Sequence, residues 1–179
     1  MSSTSAGTAS GAGDSAEPRS AASAGERGDI LLLRQAVDLA RRNAVAGQLP
    51  FGAVVVHGND IVAEGVNTAL KDNDPVAHAE VAAVRAACRV LGVLSLGGST
   101  LYTSCEPCPI CHTVAIAVEI ERIVYAAPKE WVPDLGNAPF PAVLASIQAA
   151  ARDRDPGRIQ QVTLPEAREP FTTYLEQRR

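Results

Sequence analysis

Aromatic residues and long apolar runs are both scarce in this sequence. The 179 residues include one tryptophan, three tyrosines and three phenylalanines, so Ala, Val, Leu and Ile have to supply the hydrophobic core. No apolar run approaches the roughly 20 residues that a membrane-spanning helix needs. We therefore expect no association with a membrane, and the length leaves room for one domain and little more.

Cysteine and excess charge are also sparse. Four cysteines in a chain without a secretion signal favour a reducing compartment, here the cytoplasm, and metal or catalytic use rather than disulfides. The formal net charge is −4, which disfavours a polyanionic partner such as tRNA. We therefore expect a small neutral substrate and no nucleic-acid partner.

Large apolar residues are missing from the first part of the chain after Met1. Residues 1–27 are almost entirely Ser, Ala, Gly and Thr, with isolated charges. Such a segment buries too little surface to offset its ordering entropy, which predicts a disordered tail. Residues 28–179 then form the folded domain.

Strand and helix patterns alternate along the rest of the chain. Asp29 is a candidate N-cap for a first helix that ends near Gly47. Later helices are predicted over residues 78–91, 109–118, 140–152 and 166–177, and strands over residues 51–56, 61–66, 100–103, 123–126 and 159–164. The 109–118 helix is apolar nearly all round and should be buried. The alternation predicts an α/β fold, a three-layer α/β/α sandwich.

Two short motifs carry the chemistry. His78-Ala79-Glu80 is followed by Pro107-Cys108-Pro109-Ile110-Cys111, and His-x-Glu with a later Pro-Cys-x-x-Cys is the signature of zinc deaminases. An imidazole and two thiolates hold a tetrahedral zinc ion and leave one position for water, whose pKa falls to roughly 7. A carboxylate that does not bind the metal then moves protons between the water, the ring nitrogen and the leaving amine. His78, Cys108 and Cys111 are therefore the predicted Zn²⁺ ligands, and Glu80 is the predicted catalytic acid–base.

The cysteines have two other interpretations. A Cys-x-x-Cys pair alone is typical of a redox dithiol or of half a structural zinc site. With Cys105 the run becomes Cys-x-x-Cys-x-x-Cys, which is similar to the start of an iron–sulfur cluster motif. The fourth cysteine of such a motif is missing, since Ala115 occupies its position. We therefore expect Cys105 to be a buried small residue beside the site.

Two polar residues near strand ends have alternative roles. Asn67 closes the second predicted strand, where an asparagine is usually a turn former. Its amide offers two donors and an acceptor, so it is also suited to the edge of a heterocycle. His57 lies in the predicted hairpin turn at residues 57–60 and is expected to be a solvated turn residue.

Three stretches, at residues 49–56, 73–80 and 101–109, make this sequence similar to the cytidine deaminase superfamily and, within it, to the guanine deaminase branch. The resemblance extends over about residues 29–127. It implies a central five-stranded mixed sheet, one catalytic zinc ion per chain and a homodimer. It also implies that Asn67 contacts the base and that Phe51 lines its pocket.

Some positions depart from the pattern of the guanine deaminase branch. Ile110 stands where methionine is usual, and Ala117 stands where a tryptophan is expected. The acid that reads the amide edge of guanine has no aligned counterpart, and no aromatic residue ends the chain. Asp134 or Glu130, in a Pro-rich loop with Trp131, would then supply that acid.

The leading functional hypothesis is hydrolytic deamination of a small amino-substituted heterocyclic base, with water as co-substrate. Guanine, which would yield xanthine plus ammonia, is the first candidate. The alternatives are another base or nucleoside such as cytosine, an aminotriazine or guanosine, a tRNA adenosine deaminase, and a zinc-stapled scaffold that binds without turnover. Glu80 disfavours the scaffold, which needs ligands but no proton shuttle. The predicted substrate contacts are Phe51, Asn67, Ala79, Glu130, Trp131 and Asp134.

Overall fold

Helices and strands alternate along most of the chain, as the sequence predicts. The computed structural model describes residues 24–136 and 142–178. The elements in chain order are α1 (Ala24–Val45), β1 (Gly52–His57), β2 (Asp60–Val66), α2 (Ala69–Asp72), α3 (Ala79–Leu91), β3 (Ser99–Cys105), α4 (Pro109–Ala117), β4 (Arg122–Ala127), α5 (Ala142–Arg154), β5 (Ile159–Gln161) and α6 (Glu169–Gln177). Short 3₁₀ helices follow β4 at Lys129–Trp131 and β5 at Pro165–Arg168.

The strands form one five-stranded mixed sheet in the order β2-β1-β3-β4-β5. β1 is antiparallel to both β2, to which a tight hairpin joins it, and β3. β3, β4 and β5 are mutually parallel, and a helix connects each pair. The register pairs Cys105 with Ala127, so the carboxyl ends of β3 and β4 lie side by side. The predicted fold class is confirmed.

Helices cover both faces of the sheet, which makes the predicted three layers. One face packs against α1 and α6 through Leu33, Val37, Val54, Val124 and Phe171, among others. The other packs against α3 and α4 through Ala53, Val55, Ala83, Leu101 and Ile123. Most of these side chains are aliphatic and small, as the scarcity of aromatic residues requires.

Two strand glycines let helices approach the sheet very closely. A Cβ at Gly65 would lie 2.3 Å from the carbonyl oxygen of Ala79 and 2.5 Å from the backbone nitrogen of Ala83, both in α3. A Cβ at Gly52 would lie 2.4 Å from the carbonyl oxygen of Ala36 in α1. Since no side chain can stand in such gaps, glycine is required at both positions.

The first helix begins earlier than predicted. α1 starts at Ala24, so Asp29 lies inside the helix and does not cap it. Its carboxylate instead accepts hydrogen bonds from Tyr102, at 2.8 Å, and from Arg122, which fixes α1 on the sheet. The helix thus extends into the last residues of the predicted tail. Residues 1–23 lie outside the described residues, and the tail remains a prediction there.

Two other elements differ from prediction. The helix α4 is not buried all round, because Thr113, Ile116 and Ala117 are exposed. The strand β5 ends at Gln161, since the chain turns toward the 3₁₀ helix that Pro165 begins. None of the described helices is both long and apolar enough to cross a membrane.

His57 also differs from prediction, because it is the last residue of β1 and not part of the turn. Its ring is exposed, and Nδ1 lies 2.9 Å from the hydroxyl oxygen of Ser99. Ser99 is fully buried at the start of β3. The pair therefore joins β1 to β3 at the edge of the sheet opposite to Cys105.

Candidate active site

The two sequence motifs meet at the carboxyl end of β3, where the helices α3 and α4 begin. His78 is the N-cap of α3 and Cys108 is the N-cap of α4, and both have extended backbone angles. Pro109 follows Cys108 at the first helical position, which favours a helix start there. Two helix N-termini therefore point at one spot, and their partial positive charge favours thiolates.

Three donor atoms converge at this spot. His78 Nδ1 lies 3.3 Å from Cys111 Sγ and 3.4 Å from Cys108 Sγ, and the two sulfurs are 3.4 Å apart. In a tetrahedral zinc site with bonds of about 2.0–2.3 Å, the ligand atoms are separated by roughly 3.5–3.8 Å. One imidazole and two thiols at nearly these separations fit zinc, and little rearrangement is needed to bind it.

Each of the three groups changes the pKa of the others. The hydrogen bond between the sulfurs, together with the one to His78, lowers the pKa of Cys108 to about 5. The hydrogen bond to Cys108, and then burial, raise the pKa of Cys111 well above its usual value. The hydrogen bond to Cys108 also raises the pKa of His78. Cys108 is thus the thiol that loses its proton most readily, and metal binding displaces the protons of the other donors.

Glu80 lies in the first turn of α3, next to these donors, and is only 7% exposed. Burial, and then the charge of Cys108, raise the pKa of the carboxyl to about 7. A carboxyl with a pKa near neutrality can both accept and donate a proton at physiological pH. The side chain lines the cavity described next, so it is accessible to a small ligand.

A cavity of about 760 Å³ opens over Glu80 and the metal ligands. Its walls come from the segment before β1, the segment after β2, the loop after β3, residues 132–136 and α5. The predicted site residues that line it are Phe51, Asn67, His78, Glu80, Cys108 and Asp134. Cys111 is buried at the same donor cluster.

Three predicted substrate contacts are not among the residues that line this cavity. Trp131 packs against the core on the α1 side, and the guanidinium of Arg168 stacks 4.0 Å above its ring. Glu130, its neighbour in the 3₁₀ helix, is exposed. Ala79 is fully buried against β2, where Gly65 makes room for its backbone. Of the acids in this loop, Asp134 is the one that reaches the cavity.

Asn67 is held in a defined orientation in the cavity wall. Its side-chain oxygen accepts the backbone N–H of Ala69 at 3.0 Å, which directs the amide nitrogen away from that backbone. Its own backbone N–H donates to the carbonyl of Phe51 at 3.2 Å. The Phe51 ring makes an edge-to-face contact with Phe171, with centroids 5.9 Å apart. The side chains of Asn67 and Phe51 are therefore each held in place in the cavity wall.

The sequence did not predict the polar contacts that hold the loop between β3 and α4, which carries Cys108. The carboxylate of Glu106 forms an ion pair of 2.6 Å with Arg152 of α5 and accepts the backbone N–H of Lys129. Gln148, also in α5, donates to the carbonyl of Pro107 at 2.8 Å. Glu106 lies next to Pro107 in the cysteine motif, so its position could have indicated a role. Nothing in the sequence of α5 identifies Gln148 or Arg152.

Cys105 agrees with its prediction. The side chain is buried beside the site, but it is not part of the donor cluster found among the described residues. Burial, and then the charges of Glu80 and Glu106, raise the pKa of its thiol far above the usual range. It therefore stays protonated and neutral, which favours neither metal binding nor redox reactivity.

The sequence is similar to those of known deaminases. The family model for the cytidine and deoxycytidylate deaminase zinc-binding region matches residues 27–127. Guanine deaminase of Bacillus subtilis is 41% identical over 144 residues, which cover 79% of this chain and 90% of that protein. The tRNA-specific adenosine deaminase of the same organism is 34% identical over 99 residues, 55% of this chain and 62% of that protein.

Solved structures agree with these relatives. An X-ray structure of the guanine deaminase from Bacillus subtilis superposes with a TM-score of 0.55 at 36% identity, covering 82% of this chain and 93% of that one. Guanine deaminase from Nitrosomonas europaea superposes with a TM-score of 0.63 at 24% identity, covering 90% and 87%, which shows the fold alone. The chain therefore belongs to the cytidine and deoxycytidylate deaminase family and is a zinc-dependent hydrolytic deaminase.

Proposed function

We propose that this protein deaminates guanine, a free purine base, to xanthine and ammonia. The observation that carries the proposal is the buried Glu80 carboxyl beside a His-Cys-Cys donor set, at the wall of a cavity open to small molecules. The similarity to the guanine deaminase of Bacillus subtilis over most of both chains supports guanine among the possible bases.

The chemistry follows from the placement of these groups. His78, Cys108 and Cys111 would hold the zinc ion, which would supply the Lewis acidity that makes water nucleophilic at neutral pH. Glu80 accepts a proton from the water that adds to the ring carbon bearing the amino group, and passes it to the adjacent ring nitrogen. The second water proton reaches the amine by the same carboxyl, the C–N bond breaks, and ammonia leaves. The pKa near 7 suits a group that must protonate and deprotonate in each cycle.

The cavity wall supplies the base recognition in this proposal. Asn67 offers its amide nitrogen to an acceptor on the base, while Phe51 packs against the ring. Guanine carries an N1–H donor beside the amino group that is lost, and Asp134, a carboxylate on the cavity wall, accepts from that N1–H. A site that pairs with such donors rejects rings that lack them more strongly than a change of pocket size does.

The proposal includes a homodimer in the cytoplasm that acts on neither nucleic acid nor membrane. The net charge of −4 supports a neutral substrate over a polyanion. Exposed apolar side chains support association with a second copy, since Leu94 is 91% exposed and Val90 is 67% exposed.

The direct test measures ammonia release by the zinc-loaded protein from guanine, adenine, cytosine, guanosine and an aminotriazine. We expect guanine to give the highest kcat/KM. The variant Glu80→Gln should keep its zinc and its melting temperature while kcat falls by about 10²–10⁴. Glu121→Gln, the same change at an exposed position, is the control and should leave kcat unaltered.

Two outcomes would contradict the proposal in different ways. A zinc-loaded protein that releases ammonia from none of these compounds refutes deamination of free bases. Near-normal turnover in a zinc-loaded Glu80→Gln protein would show that a group other than Glu80 carries out the proton transfers.

A further inference from the structure

A buried amide bridges the two chain segments that form the base-binding wall. Asn43 lies in the last turns of α1 and is only 8% exposed. Its side-chain nitrogen donates to the carbonyl of Leu49 and to the carbonyl of Asn67, both at 2.8 Å. Both of its N–H groups are thus used, and each goes to the backbone of a residue that lines the cavity.

The second of these bonds completes the anchoring of Asn67. The backbone N–H of that residue is held by Phe51, its backbone carbonyl by Asn43, and its side-chain oxygen by Ala69. Of the polar groups of Asn67, the side-chain nitrogen is the one without a partner among the described residues, and the residue lines the cavity. Three bonds therefore fix the position of one donor that remains available to a ligand.

The surroundings of Asn43 indicate that its two hydrogen bonds do more than fill space in the core. The neighbouring cluster is apolar, formed by Ala44, Leu49, Leu135 and Tyr174. A buried amide in such a place stabilises the fold only if its hydrogen bonds are made, so a leucine would serve packing alone equally well. The helix end does not need it either, because Gly47 with a φ of +74° already turns the chain.

We propose that Asn43 is a positioning residue for base recognition, which acts by holding Asn67 at a fixed separation from Leu49, two residues before Phe51. The proposal rests on the proposed function, in which Asn67 donates to the base. Zinc binding is independent of it, since His78, Cys108 and Cys111 lie on α3 and α4 and not on the segments that Asn43 bridges.

The first test is the variant Asn43→Ala, assayed with the preferred base of the parent enzyme. A misplacement of about 1 Å in a positioning group can cost 10²-fold in rate, so kcat/KM should fall by about 10- to 100-fold. Most of the loss should be in KM, and the zinc content should be unchanged. Asn43→Asp keeps the shape but removes both donors, and should be impaired as strongly as Asn43→Ala.

A control separates positioning from a general loss of stability. Ser99→Ala also removes a buried polar contact, the one to His57, but at the far end of β3 from the site. It should lower the melting temperature without changing KM. If Asn43→Asp restores the KM of the parent, or if Ser99→Ala raises KM as much as Asn43→Ala does, the role of Asn43 is packing and the proposal is wrong.

A double-mutant cycle with Asn67→Ala tests whether Asn43 acts through Asn67. Residues that act on one interaction are non-additive, whereas independent residues add. We expect Asn43→Ala to reduce kcat/KM much less in the Asn67→Ala background than in the parent. Equal reductions in both backgrounds would overturn the proposal.

Amide hydrogen exchange gives a readout that does not depend on turnover. Asn43→Ala should speed the exchange of the Ala69 N–H, which donates to Asn67, while the amides of β3 keep their protection. An unchanged Ala69 amide contradicts the proposal. If the parent releases ammonia from no base, the proposed function fails, and the exchange result still decides whether Asn43 orders Asn67.

Discussion

The close contact of α3 with the sheet predicts that Gly65→Ala damages both the fold and the metal site. The added Cβ would lie 2.3 Å from the carbonyl of Ala79 and 2.5 Å from the nitrogen of Ala83. Both atoms belong to helix backbone, so no flexible side chain can move aside. Overpacking of a core typically costs about 1–3 kcal/mol, and the upper end applies here.

The magnitudes follow from that displacement. About 3 kcal/mol lowers the melting temperature of a domain of this size by roughly 6–12 °C. To restore ordinary contact, α3 must retreat by about 1 Å, and metal–ligand distances tolerate only about 0.2 Å. Because His78 caps this helix and Glu80 lies in its first turn, we expect zinc affinity to fall by at least about 10-fold, with a loss of kcat.

Gly52→Ala is the matched comparison. Its Cβ would meet the carbonyl of Ala36 at 2.4 Å and so displace α1, which carries no metal ligand. Thermal unfolding should show similar losses for both variants, while competition with a chromophoric chelator should show weaker zinc binding only for Gly65→Ala. Equal zinc affinity in the two variants would refute the idea that the approach of α3 to β2 sets the position of His78.

Two further predictions concern the site itself. Cys108→Ala should abolish zinc in metal analysis and lower the melting temperature, because one of three ligands and the thiolate at the start of α4 are lost; an active zinc-free protein would contradict the mechanism. Asp134→Ala should reduce kcat/KM for guanine by on the order of 10²-fold, the worth of hydrogen bonds to a charged group, and should leave cytosine unaffected. Glu130→Ala, in the same loop but outside the cavity, should leave the guanine-to-cytosine ratio at its parent value.

The chemistry of the site was predictable because it depends on residue types at fixed spacing. His78, Cys108 and Cys111 form a cluster with donor atoms within 4.8 Å of one another, and Glu80 stands beside it. The mixed sheet was expected from the resemblance to the cytidine deaminase superfamily, and the structure confirms it. Local pattern alone was enough only for the chemistry of the site.

The outer wall was not predictable in the same way, because tertiary packing decides it. Trp131 was predicted to contact the base because its aromatic ring lies in the loop after β4. In the structure, however, the guanidinium of Arg168 covers that ring. In the sequence, Asn43 is an ordinary polar residue of a predicted helix. Only the fold shows that its amide donates to the carbonyls of Leu49 and Asn67. Asp29 looked like a helix cap, but its partners Tyr102 and Arg122 lie far along the sequence.

The metal ligands and the outer wall of the cavity are held by different elements of the fold. The metal ligands and Glu80 lie at the starts of α3 and α4, and Gly65 lets α3 pack closely against the sheet. The wall at residues 132–136 is instead held by the last turn of the chain, where Arg178 donates to the carbonyl of Leu135 at 3.2 Å and to Tyr174 at 2.9 Å. Substitutions in α6 or in that wall can therefore reshape the cavity without moving a metal ligand. In the proposed function, the choice of guanine is therefore expected to depend on this wall rather than on the zinc motif.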